Sequence, residues 1–314
     1  MPTLATPRLQ VHYEDAGSGP EVFVLVHGNF ASWRWWKPVL DRLRPGWRAL
    51  APDLRGCGDT GGGPADPHLT AYGIPELAGD LAGFADALGL GRFHLAGHSL
   101  GGAVALEYAL AHPQRLRSLT LVAPPPPAGL AEMRAASPAA ARLFSAVDPG
   151  HGPSLAALHS SYRMHRSLGT HRWMLRRAIG QMMPAAVLDR HFLEALLTDA
   201  ARMSPDAVVG FLQALHRWNV EARLPALRVP TVIVWGERDV LVPRAGMERM
   251  ARLLPAGELV VWADAGHSPQ LERPDRFVAL LAGRGRRPLG ELLGTWLRRA
   301  TRWCGATFEA DQRP

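Results

Sequence analysis

The pentapeptide Gly97-His98-Ser99-Leu100-Gly101 is the part of the chain whose residue types and spacing point most directly to chemistry. It fits G-x-S-x-G, in which a serine occupies a tight, strained turn and the flanking glycines relieve crowding. Its surroundings fit as well. Phe93–Ala96 reads as a buried strand, and Leu100–Ala111 reads as a helix opened by the small residues Gly101, Gly102, Ala103 and Ala105. A bare G-x-S-x-G arises by chance, but one set between strand and helix makes a nucleophile elbow. The helix N-terminus also favours negative charge developing beside the serine.

A serine hydroxyl is a poor nucleophile without a base, and the base needs an orienting acid. Asp239 follows the apolar run Thr231–Trp235 through Gly236-Glu237-Arg238, and His267 lies in Ala265-Gly266-His267-Ser268-Pro269 after the run Leu259–Trp262. Both sit where carboxyl-end loops of an open sheet converge. Ser99, Asp239 and His267 are the expected nucleophile, acid and base. Asp264 is the rival acid, but it lies on the wrong loop and too close to His267 in sequence. Among the other histidines, His94 falls within a strand and reads as structural, and His98 is expected to pack at the elbow.

The elements that must position these residues are legible from short apolar runs bounded by turn residues. Val22–Val26, Ala49–Ala51, Phe93–Ala96, Leu119–Ala123, Thr231–Trp235 and Leu259–Trp262 are expected strands covered on both faces, and the alternating Leu9–Glu14 is an expected edge strand. Helical patterns separate them, at about Ser32–Leu43, Ile74–Leu88, Leu100–Ala111, Pro243–Leu254 and Pro274–Leu281. The fold class is therefore α/β, a doubly wound, mainly parallel sheet of about eight strands. From Pro124 to about Pro225 the alternation stops and helical stretches follow, including one that Ser204 caps and Pro205 opens. The expected division is a core of residues 1–123 and 226–283, a helical cap at 124–225 inserted after the sixth strand, and a basic amphipathic tail at 284–314.

Composition narrows the function classes. With 47% hydrophobic residues the chain is globular, not disordered. Two cysteines, Cys57 and Cys304, make no disulfide framework, and no Cys or His spacing suggests a metal site. No secretory signal and no run long enough to span a membrane is visible, so a cytoplasmic protein is the expectation. The formal net charge of +7 is almost all arginine, since Lys37 is the one lysine. The excess gathers in the insertion and the tail, each +4, which leaves the core near neutral and argues against a nucleic-acid partner. Leu289, Leu292, Leu293, Trp296 and Leu297 give the tail one apolar face. Packing on the domain or on a partner subunit is the plainer reading of that face, with peripheral membrane contact the less favoured one. The sequence does not fix the oligomeric state.

Over about residues 9–282 the chain resembles the α/β-hydrolase superfamily. The matching strings are His27-Gly28-Asn29-Phe30, Pro52-Asp53-Leu54-Arg55-Gly56-Cys57-Gly58, the elbow, the Asp239 loop and the His267 loop. The resemblance implies acyl transfer without a cofactor, with the oxyanion held by the backbone N–H groups of Asn29 and Leu100 and with His27 bracing that loop. Trp173 and Met174, in the insertion, could line an apolar pocket or pack in the cap's own core, and with Phe30 and His98 they are the candidate substrate contacts. Serine followed by Leu100 departs from the family's dehalogenases and epoxide hydrolases, which carry aspartate as nucleophile. The expectation is hydrolysis of small to medium apolar carboxylic esters. A carbon–carbon bond hydrolase or lactonase could use the same triad, with Arg163, Arg172 or Arg176 binding a carboxylate. A non-catalytic accessory role like that of the magnesium-chelatase accessory family is the alternative from another class.

Overall fold

A computed structural model describes residues 2–63, 66, 68–144, 155–182 and 189–284. Its centre is a sheet of β1 (Thr3–Ala5), β2 (Gln10–Gly17), β3 (Glu21–Val26), β4 (Trp47–Pro52), β5 (Phe93–His98), β6 (Leu116–Val122), β7 (Thr231–Gly236) and β8 (Gly257–Trp262). The order is β1-β2-β4-β3-β5-β6-β7-β8; the pairs at β1 and β2 are antiparallel, and all pairs from β4 to β8 are parallel. Helices α1 (Lys37–Leu40), α2 (Ile74–Ala87) and α3 (Leu100–Ala111) precede β6. Between β6 and β7 come α4 (Leu130–Ala136), α5 (Pro138–Leu143), α6 (Leu155–Ser167), α7 (His171–Met182), α8 (Arg190–Arg202) and α9 (Pro205–Arg217). The last are α10 (Arg244–Leu253), α11 (Pro269–Glu272) and α12 (Pro274–Arg284).

Period-two geometry sorts each strand onto two cores. Val24, Val26, Ile233 and Trp235 join one core with Leu81 of α2, Val104 of α3 and Met250 of α10. Phe23, Leu25, Val232 and Val234 join the other with Val39 of α1 and Phe277 of α12. Because both faces are covered, these strands read as continuous apolar runs, as a buried parallel sheet requires.

Three local expectations are corrected. The strand at Leu9–Glu14 is β2, and it is not an edge: the short β1 pairs outside it, with Leu4 opposite Val11. The helix expected at Ser32–Leu43 is a 3-10 turn at Trp33–Trp36 followed by one turn of α1, which restarts where Pro38 offers no N–H to the preceding turn. Ala123 leaves the sixth strand with φ 43°, a left-handed conformation that ends the ladder. The tail at 284–314, with Cys304, lies outside the described residues, apart from the backbone of residue 284.

The segment between β6 and β7 contains no strand among the described residues. Its α9 begins as expected, with the Ser204 side chain accepting from the N–H of Ala207 at 3.1 Å. Two glycines let this helix lie close to the core. A Cβ at Gly210 would stand 2.5 Å from the Cβ of Tyr72, and one at Gly56 would stand 2.7 Å from the Cβ of Ala207. Glycine to alanine inside a helix ordinarily stabilises by about 1 kcal/mol. Here the clash with the root of Tyr72 reverses the sign, and Gly210→Ala is expected to cost about 1–3 kcal/mol in a denaturant melt.

Candidate active site

Ser99 stands between β5 and α3 with φ 52° and ψ −120°, a strained conformation for a residue bearing a side chain. Steric closeness on both sides enforces the turn. A Cβ at Gly97 would lie 2.2 Å from the carbonyl oxygen of Gly101, and one at Gly101 would lie 2.3 Å from that of His27. Two backbone bonds hold the corner: the Ser99 N–H donates to Val122 O at 2.9 Å, and the Gly102 N–H donates to Ser99 O at 2.8 Å.

The loops after β7 and β8 bring the two other expected residues to Ser99. His267 Nε2 lies 3.1 Å from Ser99 Oγ, and its Nδ1 lies 2.8 Å from Asp239 Oδ2. Asp239 Oδ1 accepts from the N–H groups of Leu241 and Val242 at 2.8 and 3.1 Å, which fixes the carboxylate plane. The carboxylate beside Nδ1 keeps the ring proton there, so the Nε2 lone pair faces the serine hydroxyl. Asp264 is engaged elsewhere, with Arg273 at 2.6 Å and Arg276 at 3.1 Å.

The turn after β3 supplies the other face. His27 Nδ1–H donates to Gly28 O at 2.8 Å and its Nε2 accepts from the Leu54 N–H at 2.9 Å, so the ring ties this turn to the one after β4. Phe30, with φ 54°, donates its N–H to Asn29 Oδ1 at 2.9 Å. That bond occupies Phe30, whereas among the described residues the N–H groups of Asn29 and Leu100 have no acceptor. Free donors on the two turns that meet at Ser99 are what an oxyanion would require.

Other candidates fall differently. His98 is buried, stacks on Trp35 with centroids 5.5 Å apart, and donates from Nε2 to His267 O at 3.0 Å. It therefore supports the His267 loop from behind instead of facing substrate. Trp173 and Met174 are exposed on α7, while Phe30 is half-buried beside Asn29. Arg172 and Arg176 pair with Glu194 at 3.1 and 3.0 Å. His94 is bonded to Ser118 and Glu21 within the sheet.

Two positioning carboxylates escaped the sequence reading. Buried Glu272 accepts from the N–H groups of Gly266 and Ser268, at about 3 Å each, and so grips the chain on both sides of His267. The Ser268-Pro269 start followed by an acid in the first turn was the available signal. Buried Asp199, on α8, accepts from Ser32 Oγ at 2.6 Å and Arg34 Nε at 2.7 Å. Asp53 accepts from the intervening Trp33 N–H at 2.7 Å, so carboxylates from the insertion and from the core together hold the chain just past Asn29.

The chain matches the model of the alpha/beta hydrolase fold family over residues 21–274 and belongs to that family. It is 28% identical to a pimeloyl-[acyl-carrier protein] methyl ester esterase of Vibrio vulnificus, over 85% of this chain and 94% of the relative. It is also 28% identical to a 2-hydroxy-6-oxo-2,4-heptadienoate hydrolase of Pseudomonas putida, over 87% and 91%. It spans 66% of the length of another relative, the dihydrolipoyllysine-residue acetyltransferase component of an acetoin cleaving system in Cupriavidus necator, at 28% identity over 87% of this chain. A thermophilic esterase from Thermogutta terrifontis superposes with TM-score 0.70 and 25% identity, covering 90% of this chain and 97% of that one. The general class is hydrolase. Among the described residues no helix is long and apolar enough to cross a membrane.

Burial pushes the pKa of His27, His94 and His98 down, while the hydrogen bond to Asp53 pushes that of His12 up. A histidine with a depressed pKa is neutral when folded and takes up a proton on unfolding below about pH 6.5, so its stabilisation is lost as pH falls through that range. His12 acts oppositely, adding stability below about pH 6.5 that is lost as pH rises through its raised value. His98→Gln, which keeps an N–H for His267 O, is expected to flatten the fall in melting temperature between pH 7 and 5. Thermal melts across that range, on parent and variant, check it.

Proposed function

We propose that the chain is a serine hydrolase that cleaves carboxylic esters of small to medium apolar acyl compounds through an acyl-enzyme on Ser99. The observation that carries this reading is the continuous relay Asp239–His267–Ser99, with contacts of 2.8 and 3.1 Å. In the first step Ser99 Oγ attacks the ester carbonyl as its proton passes to His267 Nε2. The tetrahedral oxygen takes the N–H groups of Asn29 and Leu100, and His267 returns the proton to the leaving alcohol as the carbon–oxygen bond breaks. Water, activated by the same nitrogen, then attacks the acyl-enzyme and releases the acid and Ser99. Asp239 keeps the ring oriented and stabilises its charged form.

Residues 1–123 and 226–283 form the catalytic core in this reading, and 124–225 form the cap that selects substrate. An esterase among the sequence relatives and another among the solved structures support the ester assignment. Hydrolysis of a carbon–carbon bond could use the same relay, and the Pseudomonas relative is named a hydrolase of a 2-hydroxy-6-oxo-dienoate. That reading needs a cation for a substrate carboxylate; of the three candidate arginines, Arg172 and Arg176 are engaged by Glu194, which leaves Arg163 for that role. The ester reading needs none.

p-Nitrophenyl acetate, butyrate and octanoate, run beside lactones and a vinylogous diketone, test the proposal. Turnover of the esters is expected to exceed that of the other classes, and Ser99→Ala is expected to lower ester kcat/KM by about 10⁴-fold or more. Undiminished turnover by Ser99→Ala, or preference for a lactone or diketone, would contradict it.

A further inference from the structure

The two helices α6 and α7 form a hairpin whose charge and exposure the hydrolytic site does not use. Residues 155–182 hold five arginines, three histidines and no aspartate or glutamate. The hairpin already has an inward apolar face, because Tyr162, Leu175 and Ile179 are buried in the main core. Yet its turn carries a second apolar group directed outward. Leu168 and Trp173 are 67% and 68% exposed, with Met164 and Met174 also open to solvent. Large apolar side chains clustered in the open mark a contact surface more often than chance.

The arginines sit around this crest. Arg177 stands one helical turn from Trp173, and Arg163 stands beside Met164. Neither has an acidic partner among the described residues. Arg163 and Arg166 also wall an open cleft of about 500 Å³ between α6 and the start of α9. Two acids on the neighbouring helices are engaged: Glu194 pairs with Arg172 and Arg176, and Asp206 pairs with His159 at 2.7 Å.

Charge selects the occupant. A second copy docked hairpin to hairpin would set this cationic surface against its own like, and the chain's own tail, with net charge +4, would be repelled as well. An anionic surface meets both requirements: it attracts arginines and takes tryptophan, leucine and methionine into an apolar layer just beneath its charges. Tryptophan favours such a boundary, and arginine can lay its stem along apolar surface while its head stays among anionic groups. We infer that the exposed tip of the α6–α7 hairpin docks this protein on anionic lipid surfaces. The inference does not depend on the ester reading.

Flotation of the full chain with vesicles tests it, using phosphatidylcholine alone and phosphatidylcholine mixed with phosphatidylglycerol. The chain is expected to float with the anionic vesicles at low salt and to be released at high salt. Leu168→Ser with Trp173→Ser, and separately Arg163→Gln with Arg177→Gln, are expected to lower the bound fraction about tenfold, with melting temperatures unchanged because these side chains are exposed. Leu293→Ser with Trp296→Ser, in the tail, is expected to leave binding intact. Hairpin variants that float like the parent, equal binding to neutral vesicles, or loss of binding through the tail variant alone would overturn the assignment. So would a parent that ignores anionic vesicles while its hairpin substitutions abolish self-association or the capture of an acidic protein.

Discussion

No side chain fits at position 101, because it would strike the carbonyl oxygen of His27. That constraint joins three elements at one point: β3 ends there, β5 turns there, and α3 begins there. The turn between them must be tight enough to drive Ser99 into positive φ. Such a conformation costs about 1–3 kcal/mol and persists only when its surroundings over-determine it. They do so here through α3, which is buried nearly throughout against the sheet and α2. The same crossing brings His27 and its turn against the elbow, so the strain at the serine and the placement of the Asn29 N–H share one cause.

Around this crossing, the loops are held by buried carboxylates that accept from backbone N–H groups. Asp239 takes Leu241 and Val242, Glu272 takes Gly266 and Ser268, and Asp53 takes Trp33. Hydrogen bonds to an ionised acceptor are stronger than neutral ones, and they fix a loop without a large apolar contact. Asp199 extends this to the insertion, since its bonds to Ser32 and Arg34 tie α8 to the chain that follows Asn29. The proposed cap is thereby connected to the proposed oxyanion turn by direct bonds, and substitutions in α8 can reach the chemistry through them.

Much of this was legible in the sequence because the chemistry depends on local spacing. The elbow, the strands behind it and the loops bearing Asp239 and His267 each declare themselves within about ten residues. The capped start of α9 did so as well. What escaped depends on distance along the chain. Strand β1 is three residues long and gains its identity only by pairing with β2. Asp199 looks like one more acid on an amphipathic helix until the fold sets it against a serine 167 residues away. His98 adjoins the serine and reads both as packing at the elbow and as a candidate substrate contact; which of the two depends on Trp35, far from it in sequence, against which its ring stacks.

The central claim is that Ser99 is the nucleophile and that its neighbours make it one. A fluorophosphonate probe, intact-mass measurement and peptide mapping address it most directly, because covalent capture needs the activated hydroxyl and the oxyanion donors together. The account predicts one adduct per chain, located on Ser99 and absent from Ser99→Ala. No adduct on the folded protein, or an adduct that maps elsewhere and survives Ser99→Ala, would contradict it.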